Sequence, residues 1–304
     1  MNDERITLRE ATDRMSSGTV LLNVVFHQPG MSRPGDMVEV ITSADKTMLA
    51  LRKHIVRSQA YIDMNRASMY CHGSLRGMSV PSNILRRGCH KIPVARLEDV
   101  IETVRNYEAD YMAAGSEFVA AWPQLVEQAK ERLNDQFRDT DYPTQEYIQK
   151  AIWVEYYLTE QNTPAESKLG ADLFKEEQFK ARSRARDEVE TCVQAMRESL
   201  KMVLEKFISA LGTRSDGRKA ALRDKSYEAA VEFLTMFKDR NVLGDRQAQE
   251  LANLALKVID SVEPATLRTD DAFREEVRGM TEKVVVALDR VIEDGPSRMF
   301  CFDD

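Results

Sequence analysis

The spacing of apolar and polar positions changes character along this chain, and the change falls near residue 97. Thr19–His27 (TVLLNVVFH) is rich in β-branched and large apolar side chains and ends at Gln28-Pro29-Gly30, which predicts a buried strand. Residues 3–16 ahead of it predict a short helix with Ile6, Leu8 and Met15 as apolar points. Pro29–Asp36 reads as loop and Val38–Ile41 as a second strand. Ser43 is placed to cap a helix over 44–57, with Met48, Leu49, Leu51 and Ile55 apolar. A further helix over 58–69 carries Ala60, Tyr61, Met64 and Ala67. Between Met69 and Pro93 the periodicity is lost among Gly73, Gly77, Pro81, Gly88 and Pro93, so this stretch reads as a small hairpin or an extended flap.

From Leu97 the period is helical. Leu97, Val100, Ile101, Val104, Tyr107, Tyr111 and Met112 follow it, and Phe118, Trp122, Leu125, Val126, Ala129, Leu133 and Phe137 continue it. Pro123 is expected to kink this helix or to begin a new one. Asp139–Pro143 breaks the chain, and Thr144 caps a helix holding Tyr147, Ile148, Ala151 and Ile152. A long helical segment spans 165–212. Within it Val189, Val193, Met196, Leu200, Val203 and Phe207 alternate steps of four and three, the repeat of a coiled-coil seam. Upstream, Arg182 and Arg186 interrupt the seam, and 175–190 reads as a solvated helix surface. After a turn at 212–217, helices follow over 226–238, from Asp245 to Pro264, and from Asp270 or Asp271 to Gly295-Pro296. The fold class is therefore mainly α: a small α+β region over 1–96, then a helical bundle over 97–304 with one long coiled-coil-like helix.

Charge alters this picture. Residues 46–96 hold ten Lys/Arg and one acid, Asp63, for a net +9, whereas 97–304 carry a net −13. A block of one sign in a chain of the other speaks of partners rather than fold. Arg52, Lys53, Arg57, Arg66, Arg76, Arg86, Arg87, Lys91 and Arg96 are the candidate polyanion contacts, with Tyr61, Tyr70 and the histidines interleaved for stacking. Two other readings stand beside that one. The block docks internally on the acidic half, or it is an ordinary basic face.

The remaining chemistry is sparse. Cys71-His72 and Cys89-His90 supply four zinc-type ligands, but adjacent ligands seldom turn to one ion, so a small zinc protein or a Cys/His enzyme is a lesser alternative. No P-loop, H-E-x-x-H, G-x-S-x-G or G-x-G-x-x-G motif occurs. No cofactor, metal site or small-molecule substrate is evident, and the chain reads as a non-enzyme. The four cysteines lack a disulfide-scaffold spacing, the acidic N-terminus is unlike a secretory signal, and Val20–Phe26 is far short of the roughly 20 residues of a membrane span. A cytoplasmic protein with reduced thiols is the expectation.

The order of the pieces resembles an uncharacterised family of helical bacterial and phage proteins encoded beside a MoxR-type AAA ATPase and a von Willebrand A-domain protein. The likeness runs over roughly residues 19–210: the strand TVLLNVVFH, the basic helical stretch, and the piece from Ser79-Val80-Pro81 to Ile92-Pro93. The long helix with Tyr111 and Phe118, the Asp141-Tyr142-Pro143 break and the long charged helix complete it. The resemblance implies an accessory partner of an ATP-driven remodelling machine, and it brings no catalytic residues with it. The chain is thus expected to be an interaction or assembly protein. A protein partner or self-association is expected, with nucleic-acid binding by residues 46–96 as the alternative; the seam residues Val189–Phe207 either pack within their own bundle or supply that protein contact. The C-terminal Met299–Phe302 is either a tail that tucks into a groove or a frayed end.

Overall fold

A computed structural model describes residues 6–35, 51–82, 85–160, 171–213, 218–295 and 300–301. The fold is mainly α, with small sheets near the N-terminus. The elements run β1 (Ile6–Thr7), α1 (Leu8–Gly18), β2 (Thr19–His27), β3 (Ser32–Pro34), β4 (Arg52–His54), α2 (Gln59–Met78), β5 (Cys89–Pro93), α3 (Leu97–Leu133), α4 (Gln145–Lys150) and β6 (Trp153–Thr159). They continue with α5 (Ala171–Leu211), α6 (Asp224–Arg240), α7 (Arg246–Asp260), α8 (Pro264–Thr269), α9 (Asp271–Glu293) and β7 (Phe300–Cys301). Strand order is β5-β2-β6 in the three-stranded sheet, β3 pairs antiparallel with β4, and β1 pairs parallel with β7.

The chain forms two compact units that interleave in sequence, rather than dividing once at residue 96. A helical unit comprises Met1–Leu22, Arg76–Glu98 and Leu158–Asp304; a smaller unit comprises Asn23–Leu75 and Asp99–Tyr157.

In the helical unit, α5 buries Val189, Cys192, Val193, Met196, Leu200, Leu204, Phe207 and Leu211, at steps of three and four apart from the adjacent Cys192 and Val193, in a core shared with α1, α6, α7 and α9. Two arginines buried in this unit are paired, as burial demands. Arg274 of α9 donates to the carbonyls of Ala210 and Leu211 at the end of α5 (2.9 and 2.7 Å), and to those of Ala220 and Leu267. It thereby satisfies acceptors that a helix terminus leaves without partners. Arg197, 1% exposed, donates to Asp245 at 2.7 Å and to the Val291 carbonyl at 2.6 Å. Asp245 in turn caps α7, accepting from the Ala248 N–H. The expected caps at Thr144, Asp245 and Asp270 are all present.

In the smaller unit, α2 and α3 share a core with Met31, Ile55, Ile148 and Ile152. The sequence reading ends the second helix at 69, but α2 continues to Met78. Its buried positions Met64, Ala67, Cys71 and Leu75 keep helical spacing through the glycines, and that anchoring outweighs the roughly 1 kcal/mol that each Gly costs a helix. The helix expected over 44–57 is corrected where it can be seen. Arg52–His54 is a strand whose Arg33↔Lys53 register places Arg52 and Lys53 on opposite faces, not on one helical turn. Residues 44–50 and the strand expected at Val38–Ile41 lie outside the described residues.

Pro123 does not begin a new helix: α3 runs as one helix through it. A proline lacks the N–H that would bond the carbonyl four residues back. That carbonyl, Val119 O, instead accepts from the Gln145 side-chain amide at 2.8 Å. Trp122 donates its indole N–H to the Pro143 carbonyl at 3.0 Å, fixing the same loop. Nothing in the sequence reading assigns a structure to 153–159, which forms β6.

Candidate interaction surface

The nine candidate cations do not act as one surface. Lys53 is buried, ion-paired with Asp141 at 2.7 Å and hydrogen-bonded to the Gln136 carbonyl. Lys91 is buried against Glu188, which also accepts from Ser82 at 2.9 Å. These two are corrected: each is neutralised inside its own unit and presents no charge to a polyanion. Arg96 is half-buried 3.7 Å from Asp239, Arg66 pairs with Asp63 at 3.0 Å, and Arg52 donates to Ser32 at 3.1 Å. Arg57, Arg76, Arg86 and Arg87 are exposed. Arg86 and Arg87 stand at a turn closed by Cys89 N–H donating to the Arg86 carbonyl, with Gly88 at φ 86°, a left-handed value suited to glycine. Val80 bridges Lys91 in antiparallel fashion.

The seam residues are corrected in the same sense. Val189, Val193, Met196, Leu200 and Phe207 are buried and Val203 half-buried in the core of their own unit, so none is offered to a partner helix. Leu204, not Val203, takes the buried place in that turn.

The Cys-His pairs do not gather: among the described residues no three of His, Cys, Asp and Glu are arranged to hold a metal ion. Burial pushes the Cys71 thiol up to about 12, and His72 sits edge-on to Phe26. Two concavities among the described residues are open grooves, each lined by residues of one helix, α5 (Glu190, Gln194, Glu198) or α9 (Glu282, Lys283, Arg290).

A surface that sequence reasoning missed lies on the sheet of the smaller unit. Alternation along β2 and β6 sends Val24, Phe26, Val154 and Tyr156 to one side, and Val25, His27, Trp153, Glu155 and Tyr157 to the other. On that second side Val25 is 39% exposed, Trp153 42% and Tyr157 48%. The first side is tied down. Phe26 packs edge-on to Tyr111, Tyr156 accepts from Arg105 at 3.4 Å, and the Tyr111 hydroxyl donates to the His27 carbonyl at 2.8 Å.

Gly115 of α3 is the close-approach point. A Cβ there would stand 2.8 Å from Ile152 Cγ2, so glycine lets α3 press against the residue just before β6.

The exposed side carries its own order. The His27 imidazole stacks on Trp153 with centroids 3.6 Å apart and planes 6° from parallel, while His27 Nε2 lies 3.9 Å from Glu155. That nitrogen is screened from solvent and has no hydrogen-bond partner. The result is a preorganised aromatic platform with one carboxylate in it, on the edge strand of the three-stranded order. The available signal was the alternation in W-V-E-Y-Y, with aromatic side chains at its two ends, four residues apart and so on one face of a strand.

Comparisons with protein-family models, curated proteins and solved structures return no match for this chain. Among the described residues, no helix is long and apolar enough to cross a membrane.

Proposed function

We propose that this chain is a non-catalytic interaction protein that docks an extended segment of a protein partner on the β2–β6 face. The exposure of Trp153 and Tyr157 on an edge strand carries this reading. Large aromatic side chains left in water on an ordered, stacked platform are anchors for a partner, since each offers a large contact area at low entropy cost. An edge strand adds a row of backbone groups that an extended peptide can pair with, while side-chain alternation supplies selectivity. Glu155 decides the partner's chemistry. It repels phosphate and favours a segment with apolar residues and a Lys or Arg, so a protein fits this face better than a nucleic acid. A MoxR-type AAA ATPase, the partner class implied by the family resemblance, is the first candidate source of such a segment.

The exposed Arg86 and Arg87 support a second reading, contact with nucleic acid at their turn. Panning a peptide library on the full chain separates the two. Selected peptides are expected to be apolar and basic, to lose at least about tenfold in affinity with Trp153→Ser plus Tyr157→Ser, and to be indifferent to Arg86→Glu plus Arg87→Glu. Peptides that bind the Trp153/Tyr157 variant undiminished overturn the docking face. Mobility shifts that vanish between about 50 and 200 mM salt, and with the Arg86/Arg87 reversal, establish the second reading.

A further inference from the structure

The first four turns of α5 are unlike the rest of that helix. None of residues 171–187 is buried, and the buried series begins only at Glu188 and Val189. Phe179, in the middle of this stretch, is 75% exposed, the highest value among the exposed large apolar side chains. At 3.6 residues per turn, the side of the helix that carries Phe179 also carries Asp172, Lys175 and Glu176 before it, and Arg182, Ser183 and Arg186 after it. Along this face two acids, Asp172 and Glu176, precede Phe179 with Lys175 between them, and only cations, Arg182 and Arg186, follow it. The opposite side, with Phe174, Ala181 and Ala185, is partly covered.

We propose that two copies of this chain pair antiparallel along residues 172–186 of α5, with Phe179 of each copy meeting at the two-fold axis. An isologous contact requires a surface complementary to itself, and this one is. Reversal about Phe179 sets Asp172 against the partner's Arg186 and Glu176 against the partner's Arg182. A parallel pairing would instead set Arg182 and Arg186 against their own copies, so the order of charges selects the antiparallel arrangement. The intrahelical pairs already present compete little. Lys180 bonds Glu176 and Glu177 at 2.6 and 3.0 Å, and Arg186 bonds Glu190 at 3.2 Å, all in exposed or half-exposed positions. Such pairs contribute a few tenths of a kcal/mol each and leave carboxylate oxygens free to accept again. Arg182 has no ion-pair partner among the described residues.

Contact over about 15 residues, at 1.5 Å each, covers about 22 Å of helix and buries less than a standard interface, so the dimer is weak, with a Kd of micromolar order. The inference does not rest on the β2–β6 platform.

Sedimentation equilibrium of the full chain, up to about 200 µM, tests it. The wild type is expected to show a monomer–dimer equilibrium that Phe179→Glu abolishes and Trp153→Ser leaves unchanged. Arg182→Glu with Arg186→Glu sets acid against acid at both charge pairs and is expected to leave the protein monomeric. Adding Asp172→Arg and Glu176→Arg reverses the charge order and restores the dimer. All four positions are on the uncovered side of the helix, and an unchanged far-UV spectrum shows that the variants remain folded. A wild type that stays monomeric over this range, a Phe179→Glu variant that dimerises as well as wild type, or a swapped variant that stays monomeric overturns the proposal.

Discussion

Replacing Lys91 by Met tests whether the basic stretch is consumed inside the helical unit. The Lys91 and Glu188 side chains are 4% and 8% exposed and directly paired. Ser82 is the other hydrogen-bond partner of the Glu188 carboxylate, and the Lys91 ammonium also lies 3.4 Å from the Met15 sulfur. Lys91→Met keeps the stem and removes the charge, leaving a desolvated carboxylate with one hydroxyl donor. Losing one member of such a pair costs about 3–5 kcal/mol, a shift of roughly 10² to 10³ or more in the folding equilibrium. Glu188→Met strands the ammonium and is expected to cost a similar amount. Replacing both by Met removes two desolvation costs along with their attraction, and is expected to lie within about 1 kcal/mol of wild type or above it. The coupling in the double-mutant cycle is then about 5 kcal/mol or more. Denaturant unfolding followed by ellipticity at 222 nm reads these values, since the pair sits in the helical unit. Both tryptophans, Trp122 and Trp153, are in the smaller unit, so their fluorescence supplies a separate signal. Single variants within about 1 kcal/mol of wild type would show that Lys91 reaches water in solution, and the internal assignment would be wrong.

Three further outcomes follow from local geometry. Gly115→Ala forces a Cβ to 2.8 Å from Ile152 and is expected to cost about 1–3 kcal/mol, whereas Gly73→Ala, with open space around it, is expected to gain about 0.5–1 kcal/mol; thermal melts of the two variants check the opposite signs. Gln145→Ala is expected to cost about 1 kcal/mol in wild type but little in a Pro123→Ala background, where residue 123 regains the N–H that serves Val119; equal costs in both would refute the amide's role. Burial pushes the Cys71 and Cys192 thiols up to about 12, above their unfolded value near 9. The folded state therefore holds these protons longer. Their contribution is complete below about pH 9 and is lost as pH rises toward 12, by up to about 1.4 kcal/mol per pH unit per thiol. Urea midpoints measured upward from about pH 9 should fall less steeply in Cys192→Ala than in wild type.

Local chemistry was legible in the chain, and long-range pairing was not. Thr144, Asp245 and Asp270 cap the helices they precede because a cap needs only the next three residues. Thr19–His27 is a strand with the expected bounds. The C-terminal tail, left open between tucking and fraying, has Phe300–Cys301 paired with β1. By contrast, Gly73 and Gly77 read as breakers because the anchoring of Cys71 and Leu75 is tertiary. Pro123 reads as a break because its compensating donor, Gln145, lies in another element. Arg86 and Lys91 look alike in sequence, yet one stands at a turn and the other faces Glu188, a residue on a helix far along the chain. The β2–β6 platform was hidden for the same reason. His27 and Trp153 meet only when two distant strands pair, and the composition of either alone is that of a core strand.

The central claim is that the partner is gripped at the exposed aromatic face. It is tested most directly by placing a photo-crosslinking amino acid at position 157 in the intact chain inside cells, with position 254, an equally exposed site on α7, as the control. The account predicts a covalent adduct to one protein from position 157, lost on Trp153→Ser, and none from position 254. Equal adducts from both positions, or adducts at 157 that are nucleic acid, would contradict it.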